Sequence, residues 1–214
     1  MRLSTSPPKV GEAELLALLD WKRTVFELYA AVRNSPDPRA GWDGWRAARD
    51  ELFRVHRQSP FPLDVRESFP GVPYFEYDPS ARLLADVRPV APETLAIGTS
   101  HPDPLEFTRF GLASFELQGH SLLLELYWLA GYGGGLFLPF TDTTSGDETY
   151  GGGRYLLDTV KGADLGMENG RLVLDFNFAY NPSCAYDAKW VCPLAPAQNR
   201  LPIAVRAGER LARG

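Results

Sequence analysis

The chain divides by the period of its apolar residues. Between Glu12 and Arg33, Leu15, Leu18/Leu19, Val25/Phe26, Tyr29 and Val32 recur at three- and four-residue spacing, which predicts an amphipathic helix. Asn34-Ser35-Pro36-Asp37-Pro38 ends it, because a proline pushes the residue before it out of helical geometry. A second helix follows, with Asp43 as its expected cap and Trp45, Ala48, Leu52 and Val55 on one face. Gln58-Ser59-Pro60 closes it. Arg46, Arg49, Arg54 and Arg57 crowd its other faces and read as a solvated surface.

From Tyr74 onward the period falls to two. The expected strands are 73–78, 82–87, 94–99, 107–118, 121–129, 135–140, 154–159, 171–178 and 202–206, separated by Gly, Pro and Asp clusters. Gly119-His120 reads as a two-residue hairpin turn in which Gly supplies the positive φ of type II′ geometry. That pairing sets Leu117 opposite Leu122 and Phe115 opposite Leu124, all on one apolar face. In 171–178, Leu172, Leu174, Phe176 and Phe178 share one face, and Arg171, Val173, Asp175 and Asn177 share the other. The second face is either a wet side of the sheet or, through Asp175 and Asn177, the polar lining of a barrel lumen or cleft.

The expected fold is mainly β: an antiparallel barrel or barrel-like sandwich of about eight to ten strands with two N-terminal helices packed outside. Residues 1–10 read as a disordered tail, 11–58 as the helical segment and 59–214 as the β domain. No βαβ alternation is present, which argues against a Rossmann-type nucleotide fold.

Composition narrows the function classes. The 214 residues are 44% apolar and 12% aromatic, enough to bury a full core. A formal net charge of −5 argues against a nucleic-acid partner, whose footprint is basic. The longest apolar run, Leu122 to Ala130, contains Glu125 and falls far short of a membrane span. The first residues carry no apolar stretch of the signal-peptide kind. A cytoplasmic location follows as the expectation, with Cys184 and Cys192 as reduced thiols.

The stretch from Phe140 to Glu209 has a polar texture that the rest of the chain lacks. Asn occurs five times in all, yet Asn177, Asn181 and Asn199 fall within 23 residues. Asp142-x-Thr144-x-Gly146-x-Glu148 spaces oxygen ligands as a calcium loop does, but lacks the further ligands of an EF-hand. An Asx or Ser/Thr turn suits it better. An aspartyl nucleophile at Asp142 would need a parallel α/β sheet. Cys184 and Cys192 have no nearby His, which leaves a Cys/His nucleophile or a zinc site short of partners. Buried thiols, or a disulfide closing the loop between Asn181 and Pro193, remain. No metal and no cofactor is implied.

Phe140-Thr141-Asp142-Thr143-Thr144-Ser145-Gly146, Glu148-Thr149-Tyr150, Gly153-Arg154-Tyr155, Asp175-Phe176-Asn177, Ala179-Tyr180-Asn181-Pro182 and Cys184-Ala185-Tyr186 carry a family resemblance. Cys192-Pro193-Leu194, Asn199-Arg200-Leu201 and Ala207-Gly208-Glu209 complete it. The chain resembles the bacterial and archaeal family catalogued as domain of unknown function 1684. Ala195 and Ala197 stand where that family's pattern usually has prolines. The resemblance implies a site and no mechanism.

Three functions stay open at this site. The leading one is a β-barrel that binds a small molecule, anionic if Arg154 or Arg200 meets it bidentately, with Tyr150, Tyr180 and Tyr186 lining the pocket. Its candidate residues are Asp142, Thr144, Glu148, Tyr150, Arg154, Asp175, Asn177, Tyr180, Asn181, Cys184, Tyr186, Asn199 and Arg200. The second is a cofactor-free hydrolase with Asp142, Glu148 or Asp175 as acid or base, although no carboxylate spacing marks it. The third is a purely structural polar network. If one cluster holds both polar segments, Asp175 should lie within hydrogen-bond reach of Arg154, Arg200 or a threonine of the 142–150 loop.

Overall fold

The computed structural model describes residues 11–129, 131 and 133–211. The expected tail at 1–10 lies outside them. Helix α1 (Glu12–Arg33) has the bounds its apolar period demands. Only its C-terminal half meets the core. Tyr29 is buried, and Trp21, Val25, Leu28 and Val32 pack partly, while Leu15, Leu16, Leu18, Leu19 and Phe26 stay exposed.

Helix α2 (Pro38–Val55) starts earlier than expected. Asp37, not Asp43, is its N-cap and accepts from the Arg39 amide at 2.9 Å, with Pro38 at the first helical position, where a missing N–H costs nothing. Asp43 sits inside the helix and pairs with Arg39 one turn before it. The extra turn brings Trp42 onto the inner face beside Trp45, Arg49, Leu52 and Phe53, and leaves Val55 exposed. Arg49 therefore corrects the expectation of a wholly solvated arginine surface. A single-turn α3 (Leu63–Arg66) leads toward the β region.

Among the described residues seven strands form one antiparallel half-barrel sheet, in the order β5-β4-β3-β2-β1-β7-β6. They are β1 (Arg82–Ile97), β2 (Leu105–Leu117), β3 (His120–Leu129), β4 (Gly135–Phe140), β5 (Arg154–Asp158), β6 (Met167–Glu168) and β7 (Arg171–Asp175). Two expected strands merge into β1, because Pro89 begins a register shift that ends at Glu93. At a bulge the missing proline N–H leaves no ladder partner stranded. Further shifts at Arg109/Gly111 and Leu138/Pro139 help the sheet curl. Two other expected strands do not form: Tyr74 makes one isolated bridge to Glu209, and 202–206 has no strand.

The β2–β3 hairpin pairs antiparallel as expected, with Phe115, Leu117, Leu122 and Leu124 buried together. Its turn is Gln118-Gly119, both at positive φ (52° and 76°), so Phe115 faces Leu122 and Leu117 faces His120. This is type I′ geometry, two register positions from the expected pairing. A slip of two keeps every side chain on its face, which is why the apolar pattern alone could not exclude it.

The core fills the space between the curved sheet and the helices. Tyr29 and Trp45 meet Phe178, and Trp42 meets Tyr74 and Tyr77. A smaller cluster of Ile97, Phe107, Tyr127, Phe137 and Tyr155 forms a second apolar centre.

Candidate functional site

β4 delivers Asp142 and β5 opens on Arg154, and the two meet. Asp142 Oδ2 accepts from Arg154 at 2.7 Å, and Oδ1 accepts from the Thr144 amide at 2.6 Å and from its hydroxyl. This is the Asx turn expected there, with Thr144 and Thr149 hydroxyls bonded at 2.9 Å. Arg154 also donates to the carbonyls of Val205 (2.8 Å), Ala207 and Glu209 (3.1 Å). Both of its terminal nitrogens are thus engaged, and its guanidinium lies over the Phe140 ring. Burial pulls the Arg154 pKa down while Asp142 opposes that pull.

The carbonyls that Arg154 holds belong to a C-terminal segment that threads the molecule without becoming a strand. Leu201 donates to Thr141, Glu209 to Ala179, Arg210 to Pro73 and Leu211 to Glu148. Gly208 makes this path possible. It sits at φ +79°, and a Cβ there would meet the Ala179 and Phe176 oxygens at 2.5 and 2.7 Å.

Glu209, fully buried, is therefore fixed from both sides. One carboxylate oxygen accepts from Arg49; the other accepts from the Asn181 amide at 2.8 Å and from the Tyr186 hydroxyl. Arg49 also donates to the Tyr74 hydroxyl at 2.7 Å and lies over the rings of Phe53, Trp45 and Tyr180. Burial alone would lower the Arg49 pKa, but Glu209, Tyr74 and Tyr186 together raise it well above the ordinary value. Burial and then Glu209 push the Tyr186 phenol up. Two buried ion pairs, Arg154–Asp142 and Arg49–Glu209, are thus joined through the backbone of residues 205–209.

Beside this network lies a cleft of about 90 Å³ between α1, α2 and the 180–186 segment. Trp21, Tyr29, Trp45, Phe53, Tyr155, Tyr180 and Tyr186 supply its walls, and Arg49, Lys161, Asn181 and Ser183 supply its polar groups. Asn181 is 5% exposed, and its side-chain oxygen has no hydrogen-bond partner. Asp142, Thr144 and Arg154 do not line this cleft.

The other candidate residues scatter. Asp175 corrects the expectation of a link to Arg154, Arg200 or a loop threonine. It accepts from the Asn177 amide and side chain at 3.0 and 2.8 Å, faces Arg82 across the sheet, and lines a different groove. The chain leaves the strand after Asp175 for a 3-10 turn over Phe176–Phe178, so the alternation of faces stops there, and of the expected wet face only Arg171 is exposed. Val173, Asp175 and Asn177 are all buried. Burial, opposed by the Asn177 bonds, raises the Asp175 pKa to about 6. Asn177 bridges to Asp78 and takes the Trp42 indole on its carbonyl. Asn199 ties Glu125 on β3 to Pro139 on β4. Glu148 grips Arg206 bidentately, and Arg200 is exposed. Tyr150 and Cys184 touch each other, away from the ion pairs. Among the described residues no group of three or more His, Cys, Asp or Glu is placed to hold a metal ion, and no helix is long and apolar enough to cross a membrane.

A family model described as "Protein of unknown function (DUF1684)" matches residues 67–210. The chain belongs to the DUF1684 family. It is also similar to a solution NMR structure of an uncharacterized protein from gene locus rrnAC0354 of Haloarcula marismortui. The two share 37% identity with a TM-score of 0.58, covering 81% of this chain and 94% of that one. A search of curated proteins returned no match. The DUF1684 match contains Asp142, Arg154, Asn181, Tyr186 and Glu209, whereas Trp21, Tyr29, Trp45, Arg49 and Phe53 precede it. Half of the cleft thus comes from helices outside the matched segment. Arg49 was missed in the sequence, although a signal existed: it lies four residues from both Trp45 and Phe53, at core spacing.

Proposed function

We propose that the protein binds a small molecule in the cleft between α1, α2 and the 180–186 segment. The observation that carries this reading is the unpartnered side-chain oxygen of Asn181, buried at the edge of an aromatic-walled space. A buried acceptor without a partner costs about 1–3 kcal/mol, a cost that a ligand N–H or O–H would remove. The ligand is compact, since the cleft of about 90 Å³ is smaller than the roughly 150 Å³ apolar cavity that takes one benzene ring, so the polar edge of a ring enters and the rest stays at the mouth. It is neutral, because Glu209 already balances Arg49 and Asp158 pairs with Lys161. A phenol-, indole- or amide-bearing ring meets all three requirements. The hydrolase reading has less support: Asp142 is held by Arg154, Glu148 by Arg206, and Asp175 lies in a separate groove.

The test is a thermal-shift series with phenol, indole and benzamide, paired with native mass spectrometry of freshly purified protein. The expected result is a rise in Tm with at least one probe, or a copurified mass, either of which disappears in Asn181→Leu. A wild-type protein that none of the probes stabilises and that carries no extra mass would remove the reading.

A further inference from the structure

Cys184 and Cys192 are both free thiols that meet over a short loop. Cys184 is half-buried and Cys192 buried, so small solutes can reach the first more readily than the second. The Cys192 sulfur accepts from the Cys184 backbone amide at 3.3 Å. The Cys192 thiol also hydrogen-bonds the Cys184 sulfur, so the two sulfurs are neighbours. The environment polarises the pair. The Tyr150 hydroxyl lies 3.6 Å from the Cys184 sulfur, and Ser100 Oγ accepts from the Cys192 amide at 3.1 Å. The Cys192 thiol, against the effect of burial and with help from Tyr150 and Ser100, brings the Cys184 pKa down to about 6. Cys192 shifts the opposite way, because it donates to Cys184 and is itself buried. One thiol is set to ionise and the other to keep its proton.

We propose that Cys184 and Cys192 form a hydroperoxide-reactive dithiol in which Cys184 attacks and Cys192 resolves. The Cys184 thiolate attacks one oxygen of a hydroperoxide, the O–O bond breaks, and the departing alkoxide or hydroxide takes a proton and leaves as alcohol or water. Sulfur is oxidised by two electrons to a sulfenic acid, and the peroxide is reduced by the same two. The Cys192 sulfur then attacks the Cys184 sulfur, the S–S bond forms and the S–O bond breaks. The departing hydroxide takes the Cys192 proton and leaves as water. The partition of roles follows the structure: the attacking thiol needs ionisation and access, and the resolving thiol needs proximity and gives up its proton to the departing hydroxide as its sulfur attacks.

The experiment uses the full chain, reduced and freed of small thiols, then treated with hydrogen peroxide. Intact mass, alkylation of remaining thiols and a non-reducing gel are read. Wild type is expected to lose two hydrogens, to protect both cysteines from alkylation and to stay monomeric on the gel. Cys192→Ser is expected to gain one oxygen at Cys184, captured by dimedone, and Cys184→Ser to remain unchanged at the same dose. Tyr150→Phe is expected to slow iodoacetamide alkylation of Cys184 several-fold near pH 6 and to move its pH midpoint upward, a change that a packing role would not produce. Thermal melts of all four proteins verify that each is folded. Wild-type thiols that stay fully alkylatable, dimedone capture at Cys192 rather than Cys184, or disulfides only between chains would each overturn the proposal.

Discussion

The two ion pairs joined through residues 205–209 form a C-terminal clasp, and the aromatic cleft borders it through Arg49, Asn181 and Tyr186, the partners of Glu209, yet the two follow opposite rules. In the clasp the terminal nitrogens of Arg154 and all the side-chain oxygens of Asp142 and Glu209 have partners within the protein. A buried charge keeps its place only when its hydrogen bonds are complete, and here they are. In the cleft, Asn181 spends its backbone amide on Glu209 and leaves its side-chain oxygen unmet. Completeness marks groups that hold the fold. Incompleteness at Asn181 is what the proposed ligand reading rests on.

Mutation can break or sharpen that contrast. The largest effect is expected at Arg154→Met, which removes the guanidinium and strands Asp142 without a counter-charge. Such a cut costs about 3–5 kcal/mol, read by urea denaturation. Arg154→Lys should recover only part of it, because a point charge cannot serve three carbonyls and a carboxylate in one plane. A loss under about 1 kcal/mol for Arg154→Met would put the clasp on a level with surface ion pairs.

Asp175→Asn comes next, and its sign is opposite. The folded pKa of about 6 lies above the ordinary carboxylate value of 3.8, so the protonated carboxyl is favoured on folding. Its contribution is present below about pH 4 and is lost as pH rises through 6. The full span is about 3 kcal/mol. Asn keeps the acceptor for Asn177 without the charge, so the variant should gain stability over wild type as pH climbs from 4 to 8. Parallel stability–pH curves for the two proteins would show that burial does not govern this carboxyl.

Gly208→Ala should cost about 1–3 kcal/mol from the left-handed backbone alone, with the close Ala179 and Phe176 oxygens adding to it. Its melt should fall without altering the alkylation of Cys184. The smallest effect is expected at Asn181→Leu. Removing an unmet acceptor should leave the ligand-free protein equal in stability or better by about 1 kcal/mol. A loss as large as that of Arg154→Met would place Asn181 in the clasp and remove the distinction.

The outer organisation was legible from local pattern. The period of α1 gave its two ends, and alternation put Phe115, Leu117, Leu122 and Leu124 on one buried face. Local rules failed where a distant partner decided the outcome. Pro89 and Pro92 read as the end of a strand, yet a bulge against β2 carries the strand past them. Alternation through Asn177 read as a strand with two faces, yet Asp175 caps a 3-10 turn instead. Arg49 read as solvated because its partner lies 160 positions away. The residues of the polar stretch were found as a group, but their division into clasp, cleft, thiol pair and strand ties depends on three-dimensional neighbours that no spacing encodes.

The span between Arg49 and Glu209 also sets a timetable. During synthesis at roughly 5–20 residues per second, the arginine emerges on the order of ten seconds before its carboxylate. Until then α2 cannot settle with a neutralised charge, and Tyr74, Asn181 and Tyr186 lack the group that gathers them. Contacts of such long sequence separation make folding slow. A nascent chain therefore carries α2 without its buried counter-charge until the segment around Glu209 has been made.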